Sequence, residues 1–155
     1  VGVVYDVEGI EPGQYKRFTT SQGELWVYRR SVKEIAEVNA LAQYLVDPRS
    51  VDSQQPSNLR NAFRSEKEEY FVFNPITPKQ GCAVKFSPAS EFGYDDDYTR
   101  APVHKYGHFR EPCNGNLFDT AGRIVKIASY SGELNLTVPH IKWLSATQFQ
   151  LSSQK

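Results

Sequence analysis

Short apolar runs alternate with polar turn signals along most of the chain, the rhythm of a strand-rich protein. Val3-Val4-Tyr5 reads as a first strand, followed by the turn Glu11-Pro12-Gly13-Gln14 and a second strand from Tyr15 to Thr20. A hairpin turn around Gln22-Gly23 leads into Leu25-Trp26-Val27-Tyr28, rich in strand formers. The rhythm then changes. Ser31 and Glu34 have capping-box spacing, and Ile35, Val38, Leu41 and Leu45 recur at helical intervals, predicting a helix of about three turns that ends before Pro48. Asp47 to Arg64 is polar and reads as a loop, after which Tyr70-Phe71-Val72-Phe73 is expected to be a buried strand. Cys82, Val84 and Phe86 alternate. Ser87 to Ala101, with Pro88, Gly93 and the run Asp95-Asp96-Asp97, predicts an exposed insertion. Asn114-Gly115 and Thr120-Ala121-Gly122 are turn signals. Ile124 to Ile127, then Leu134, Leu136 and Val138, then Ile141-Lys142-Trp143-Leu144 and Phe149-Gln150-Leu151 complete an antiparallel strand pattern.

Composition narrows the function classes. The 155 residues, 39% hydrophobic, match one globular domain with a core. Lysine plus arginine equals aspartate plus glutamate, 18 each, so no net field favours nucleic acid, an acidic substrate or an anionic membrane. No apolar run has the length of a membrane span and no segment resembles a signal peptide. The chain begins at Val1 rather than Met, as a mature or trimmed fragment does. His104 and His108 stand four apart, but their surroundings are loop-like with no third ligand in view, and His140 has no catalytic partner in sequence. The acidic run at 95–97 lacks the spacing and glycine of a calcium loop. Asn135-Leu136-Thr137 matches a glycosylation sequon, yet falls in a predicted strand. No nucleophile motif of a Ser-His-Asp hydrolase is present. Neither a catalytic residue nor a small-molecule substrate is indicated.

Two stretches stand out: Thr77-Pro78-Lys79-Gln80-Gly81-Cys82 and Glu111-Pro112-Cys113-Asn114-Gly115-Asn116. They resemble the two cluster-binding loops of Rieske iron-sulfur proteins, whose pattern is Cys-Thr-His-x-Gly-Cys and Cys-Pro-Cys-His-Gly-Ser. Further segments are similar to the soluble domain of the Rieske subunit of ubiquinol:cytochrome c reductase. These are Glu11-Pro12-Gly13, Arg29-Arg30-Ser31-Val32-Lys33-Glu34-Ile35, Phe118-Asp119-Thr120-Ala121-Gly122-Arg123-Ile124 and Leu134-Asn135-Leu136-Thr137-Val138-Pro139. Their order and spacing carry the resemblance along most of the chain. The implied fold is mainly β: a Rieske-like antiparallel β sandwich, six strands in its base, with one helix inserted after the first strands and a small loop subdomain. Residues 1–155 are expected to form a single domain, with a degenerate cluster-binding subdomain at about 74–123.

The resemblance also says what has changed. Thr77 and Glu111 stand where the family's cysteine ligands belong, and Lys79 and Asn114 where its histidine ligands belong. Such a cluster needs thiolates on one iron and neutral imidazoles on the other. A lysine ammonium has no lone pair, amide and hydroxyl oxygens are weak hard ligands, and only Glu111 has metal-binding chemistry. No metal and no cofactor are therefore expected. The remaining cysteine of each loop, Cys82 and Cys113, matches a pair that forms a disulfide between the loops in the family. Composition leaves two buried thiols as the alternative; the resemblance implies the disulfide, and with it an oxidising compartment such as the periplasm. Asn116 and Phe118 replace a serine and a tyrosine that tune the cluster, Gln80 replaces a leucine that meets the quinol-site subunit, and the family's Gly-Pro-Ala-Pro cover is absent from Val125 to Glu133.

The expected function is a cluster-free, non-redox binding or structural module, accessory to a membrane-associated respiratory complex. It is expected on the periplasmic side of a membrane, anchored by a segment N-terminal to this chain, as family members are. Its partner would be a protein, contacted through Lys79, Gln80, Glu111 and Asn116 at the loop tips. Lys79 and Glu111 either pair across the former ligand positions or point into solvent. Three alternatives stay open: an electron-transfer subunit with unrecognised ligands, a protein whose Cys82–Cys113 disulfide is redox-active, and a vestigial or regulatory small-ligand site in the vacated pocket.

Overall fold

A computed structural model describes residues 2–90, 102–126 and 132–152. Nine strands among them form three antiparallel sheets of three. The first sheet has the order β1 (Val4–Asp6), β9 (Gln148–Leu151), β8 (Ile141–Trp143), so the first and last strands lie side by side in one sheet. The second runs β2 (Tyr15–Thr20), β3 (Gly23–Arg29), β4 (Tyr70–Phe73). The third, β5 (Lys85–Ser87), β6 (His108–Glu111), β7 (Asn116–Phe118), carries the two special loops. The first two sheets supply the six strands expected of the base. Residues 91–101, which hold most of the expected insertion and its acidic run, and Ile127 lie outside the described residues.

Leu25 to Tyr28 and Tyr70 to Phe73 are buried without a break because the second sheet is covered on both faces. Alternate side chains point opposite ways. Leu25, Val27, Tyr70 and Val72 pack with Tyr5 and Phe149 of the first sheet. Trp26, Tyr28, Phe71 and Phe73 pack with Phe109 and Phe118 of the third, with Phe73 and Phe109 rings 4.8 Å apart. Full burial of each such side chain contributes roughly 1.5–3 kcal/mol.

The helix is shorter than its periodicity predicts. α1 spans Val32–Glu37, opened by the capping box in which Ser31 Oγ accepts from Glu34 N and Glu34 accepts from Ser31 N. From Val38 to Tyr44 the chain tightens into 3₁₀ turns. Val38 and Leu41, three apart and both buried, share a face in either geometry. The capping glutamate also accepts from Tyr28 Oη at 2.8 Å and from Gly107 N at 2.7 Å, joining three segments. A Cβ on Gly107 would lie 2.2 Å from Tyr28 Oη, so only glycine fits there.

Leu134, Leu136 and Val138 alternate as predicted but form no strand. The segment is extended, and Leu136 N and Val138 N donate to Gly122 O and Gln54 O, which belong to loops rather than to a neighbouring strand. Ile124 and Val125 likewise make only isolated bridges, to Phe118 and Leu45. The sequon asparagine, Asn135, is buried with its amide donating to Asp47 O and Ser50 Oγ, which leaves it inaccessible to glycosylation.

Three buried arginines fasten the turn after β7. Arg30 donates to the carbonyls of Thr120, Glu68 and Phe63. Arg64 donates to those of Ala121 and Gly122, while Arg123 pairs with Asp119 at 2.8 Å and reaches Val38 O. Desolvation lowers the Arg30 guanidinium to about 9, with Asp119 opposing the shift, so it stays charged at neutral pH. Buried cations of this kind are tolerated because their N–H groups find fixed acceptors.

Candidate functional site

The first loop leaves β4 at Asn74, whose side chain accepts from Ile76 N, and is closed by a bridge between Ile76 and Ala83. Within it Thr77 is buried. Its backbone N donates to Cys82 O, and its hydroxyl accepts from Cys82 N at 3.0 Å. Gly81 N returns to Thr77 O, giving a tight arch whose top, Lys79 to Gly81, is exposed. Underneath the arch sits Glu133. One carboxylate oxygen accepts from Lys79 N and the other from Gln80 N, both at 2.9 Å, and Leu134 N adds a third bond. Glu133 is fully buried, and these amide donors satisfy its carboxylate oxygens there.

The second loop connects β6 to β7, and Glu111 and Asn116 face each other at its base as register partners. Gly115 N donates to Glu111 O, turning the chain. The Glu111 side chain points inward, fully buried, accepting from Asn114 N at 2.5 Å and from Asn116 Nδ2 at 2.8 Å. Pro112, Cys113 and Asn114 form an exposed tip. A disulfide joins Cys82 to Cys113, with Cα atoms 6.4 Å apart. Both sulfurs and a Glu111 carboxylate oxygen lie within 4.8 Å of one another.

Of the four residues expected at the loop tips, Lys79 and Gln80 are exposed, whereas Glu111 and Asn116 are buried supports of the second loop. Their bonds run inward because Glu111 occupies an inward-facing position of β6, alternating with exposed Arg110. Lys79 and Glu111 form no ion pair among the described residues: the carboxylate already binds Asn114 and Asn116, and the lysine points outward. Sequence reasoning missed Glu133 altogether. Its partners are backbone amides 54 and 53 residues away, for which no side-chain pattern exists.

His104 lies on a 3₁₀ turn (Val103–Lys105) and His108 opens β6, so their four-residue spacing does not align them on a helix face. A cavity of about 160 Å³ lies elsewhere, lined by Arg64, Tyr70, His140 and Trp143 and by no residue of the two loops.

No family model matches the chain. It is 33% identical over 153 residues to a protein of Allochromatium vinosum named "Ubiquinol-cytochrome c reductase iron-sulfur subunit", a match that covers 97% of this chain and 69% of that protein.

Proposed function

Because the chain belongs to the family of the iron-sulfur subunit of ubiquinol-cytochrome c reductase, the Rieske family, we propose that it is a cluster-free member with a binding or structural role in a membrane-associated respiratory complex. In this reading residues 1–155 are one domain, and residues 74–123 are the former cluster-binding part.

The residues at the ligand positions do not fit a two-iron two-sulfur cluster. Thr77 offers a hydroxyl, Lys79 an ammonium, Glu111 a carboxylate and Asn114 an amide, so neither thiolate nor imidazole is present there. The observation that carries the reading is the pair of buried carboxylates. Glu133 accepts from the Lys79 and Gln80 amides of the first loop, and Glu111 from the Asn114 amide of the second. Acceptors supplied by the chain itself thus fill the loop interior, where a cluster's sulfurs would need the donors.

What remains outward is a small surface of the polar residues Lys79, Gln80 and Asn114 beside Pro112. It offers one ammonium and several amide groups to a protein partner, through contacts of rim type. No helix among the described residues is long and apolar enough to cross a membrane. The proposed location is the periplasmic side, held by a segment N-terminal to these residues.

Production of the chain in a host that assembles iron-sulfur clusters tests the reading. Purified protein is expected to contain neither stoichiometric iron nor acid-labile sulfide and to lack cluster absorption in the visible. Iron and sulfide in equal amounts, with that absorption, would establish an electron-transfer subunit instead.

A further inference from the structure

The described residues bring one set of three metal-ligating side chains together: Cys82, Glu111 and Cys113. In the oxidised protein the two sulfurs are bonded to each other. We infer that the reduced protein binds one zinc ion at this point, through both thiolates and the Glu111 carboxylate, with water completing a tetrahedron. This site is distinct from the family's cluster, since it uses the two cysteines that the family keeps as a disulfide.

Two thiolates and one carboxylate suit zinc, and three protein ligands with an open fourth position is a common arrangement for it. Zinc–sulfur bonds of about 2.3 Å in tetrahedral geometry place the sulfurs roughly 3.8 Å apart. Side-chain rotation supplies that separation while the Cα atoms keep their 6.4 Å spacing. Each loop also has internal hydrogen bonds that do not involve the sulfur bond. Thr77 and Cys82 hold the first through two mutual hydrogen bonds, and Glu111 with Gly115 and Asn114 holds the second. Glu111 is already oriented by Asn116 Nδ2 and Asn114 N, as an outer shell of donors orients a metal-binding carboxylate. Cys113 is exposed, which gives both a reductant and an ion a way in.

The chemistry balances. A dithiol donor delivers two electrons and two protons, the Cys82–Cys113 bond breaks to two thiols, and the donor becomes a disulfide. Zinc then displaces both thiol protons. Reoxidation by a disulfide acceptor reforms the bond and releases the ion. The loops are clasped in either redox state, by sulfur or by metal.

The test uses the whole chain reduced with a water-soluble phosphine, which breaks the disulfide and is itself oxidised to the phosphine oxide. Cobalt(II) is the probe, followed by displacement with zinc. One cobalt per chain is expected, with strong tetrahedral visible bands and thiolate charge-transfer absorption, both abolished by zinc. The oxidised protein should show neither. Glu111→Gln should weaken zinc binding by roughly 100-fold, and Asn116→Ala by about 10-fold as an outer-shell change. Cys113→Ser, which needs no reductant to open the site, should lack the charge-transfer intensity of two thiolates. Far-ultraviolet circular dichroism follows the fold throughout. The inference is overturned by absent stoichiometric cobalt spectra, by equal affinity in Glu111→Gln, by equal binding to oxidised protein, or by a reduced chain that unfolds and is not restored by zinc.

Discussion

Glu133 shows how much one side chain can hold. Its two oxygens accept the main-chain donors at the top of the first arch, one from Lys79 N and one from Gln80 N. Removing the carboxylate in Glu133→Ala takes that acceptor from the Lys79, Gln80 and Leu134 amides, a loss of about 1–3 kcal/mol. Denaturant unfolding should register that loss, while hydrogen exchange at Lys79 and Gln80 should accelerate well beyond the rest of the chain. Unchanged exchange at those amides would show that Glu133 does not support the arch. At this scale the sequence was least informative. Arg30, Arg64, Arg123, Glu111 and Glu133 are all charged residues that ordinary burial preferences place at the surface, and all five are buried. Most of their partners are carbonyls or amides of distant segments, which leave no trace in residue type.

Elements were easier to read where a local signal and the tertiary environment agreed. The capping box Ser31–Glu34 is present as spaced, and the continuous apolar runs at 25–28 and 70–73 mark strands buried on both faces. β6 escaped notice because its inward positions are Phe109 and Glu111, which breaks the apolar alternation. The 132–140 segment misled in the opposite direction: Leu136 and Val138 are buried as in an alternating strand, yet no strand pairs alongside, and Glu133 and Asn135 are buried with them.

Tyr28 links β3 to α1 and to Gly107 through Glu34. Burial, reinforced by the adjoining carboxylate, pushes its hydroxyl well above the ordinary tyrosine value. The unfolded chain releases this proton near pH 10 and the folded chain retains it, so the associated stability is present below about pH 10 and lost above it. Urea unfolding from about pH 8 to 11 should therefore show a falling alkaline limb in the wild type. Tyr28→Phe should flatten it by up to about 1.4 kcal/mol per pH unit, and should cost about 1–3 kcal/mol at neutral pH by depriving Glu34 of a donor. Parallel alkaline limbs would contradict the assignment.

For the molecule as a whole, the sulfur bond is the long-range constraint on the loops, spanning a sequence separation of 31 residues. On the chain-entropy account, replacing both cysteines with serine should remove on the order of 3 to 4 kcal/mol of unfolding free energy. A double-serine protein with wild-type stability in denaturant would mean that the loops' own hydrogen bonds suffice.

Sheet β2–β3–β4 has a consequence for how this lineage can change. Lodged between two neighbours and cemented by interlocking rings, it makes a pedestal whose integrity makes no reference to what the fingertips hold. A replacement at the tip perturbs a few arch bonds and leaves the masonry below undisturbed. Prosthetic chemistry can therefore be forfeited, or exchanged for another kind, without the architecture first having to be rebuilt.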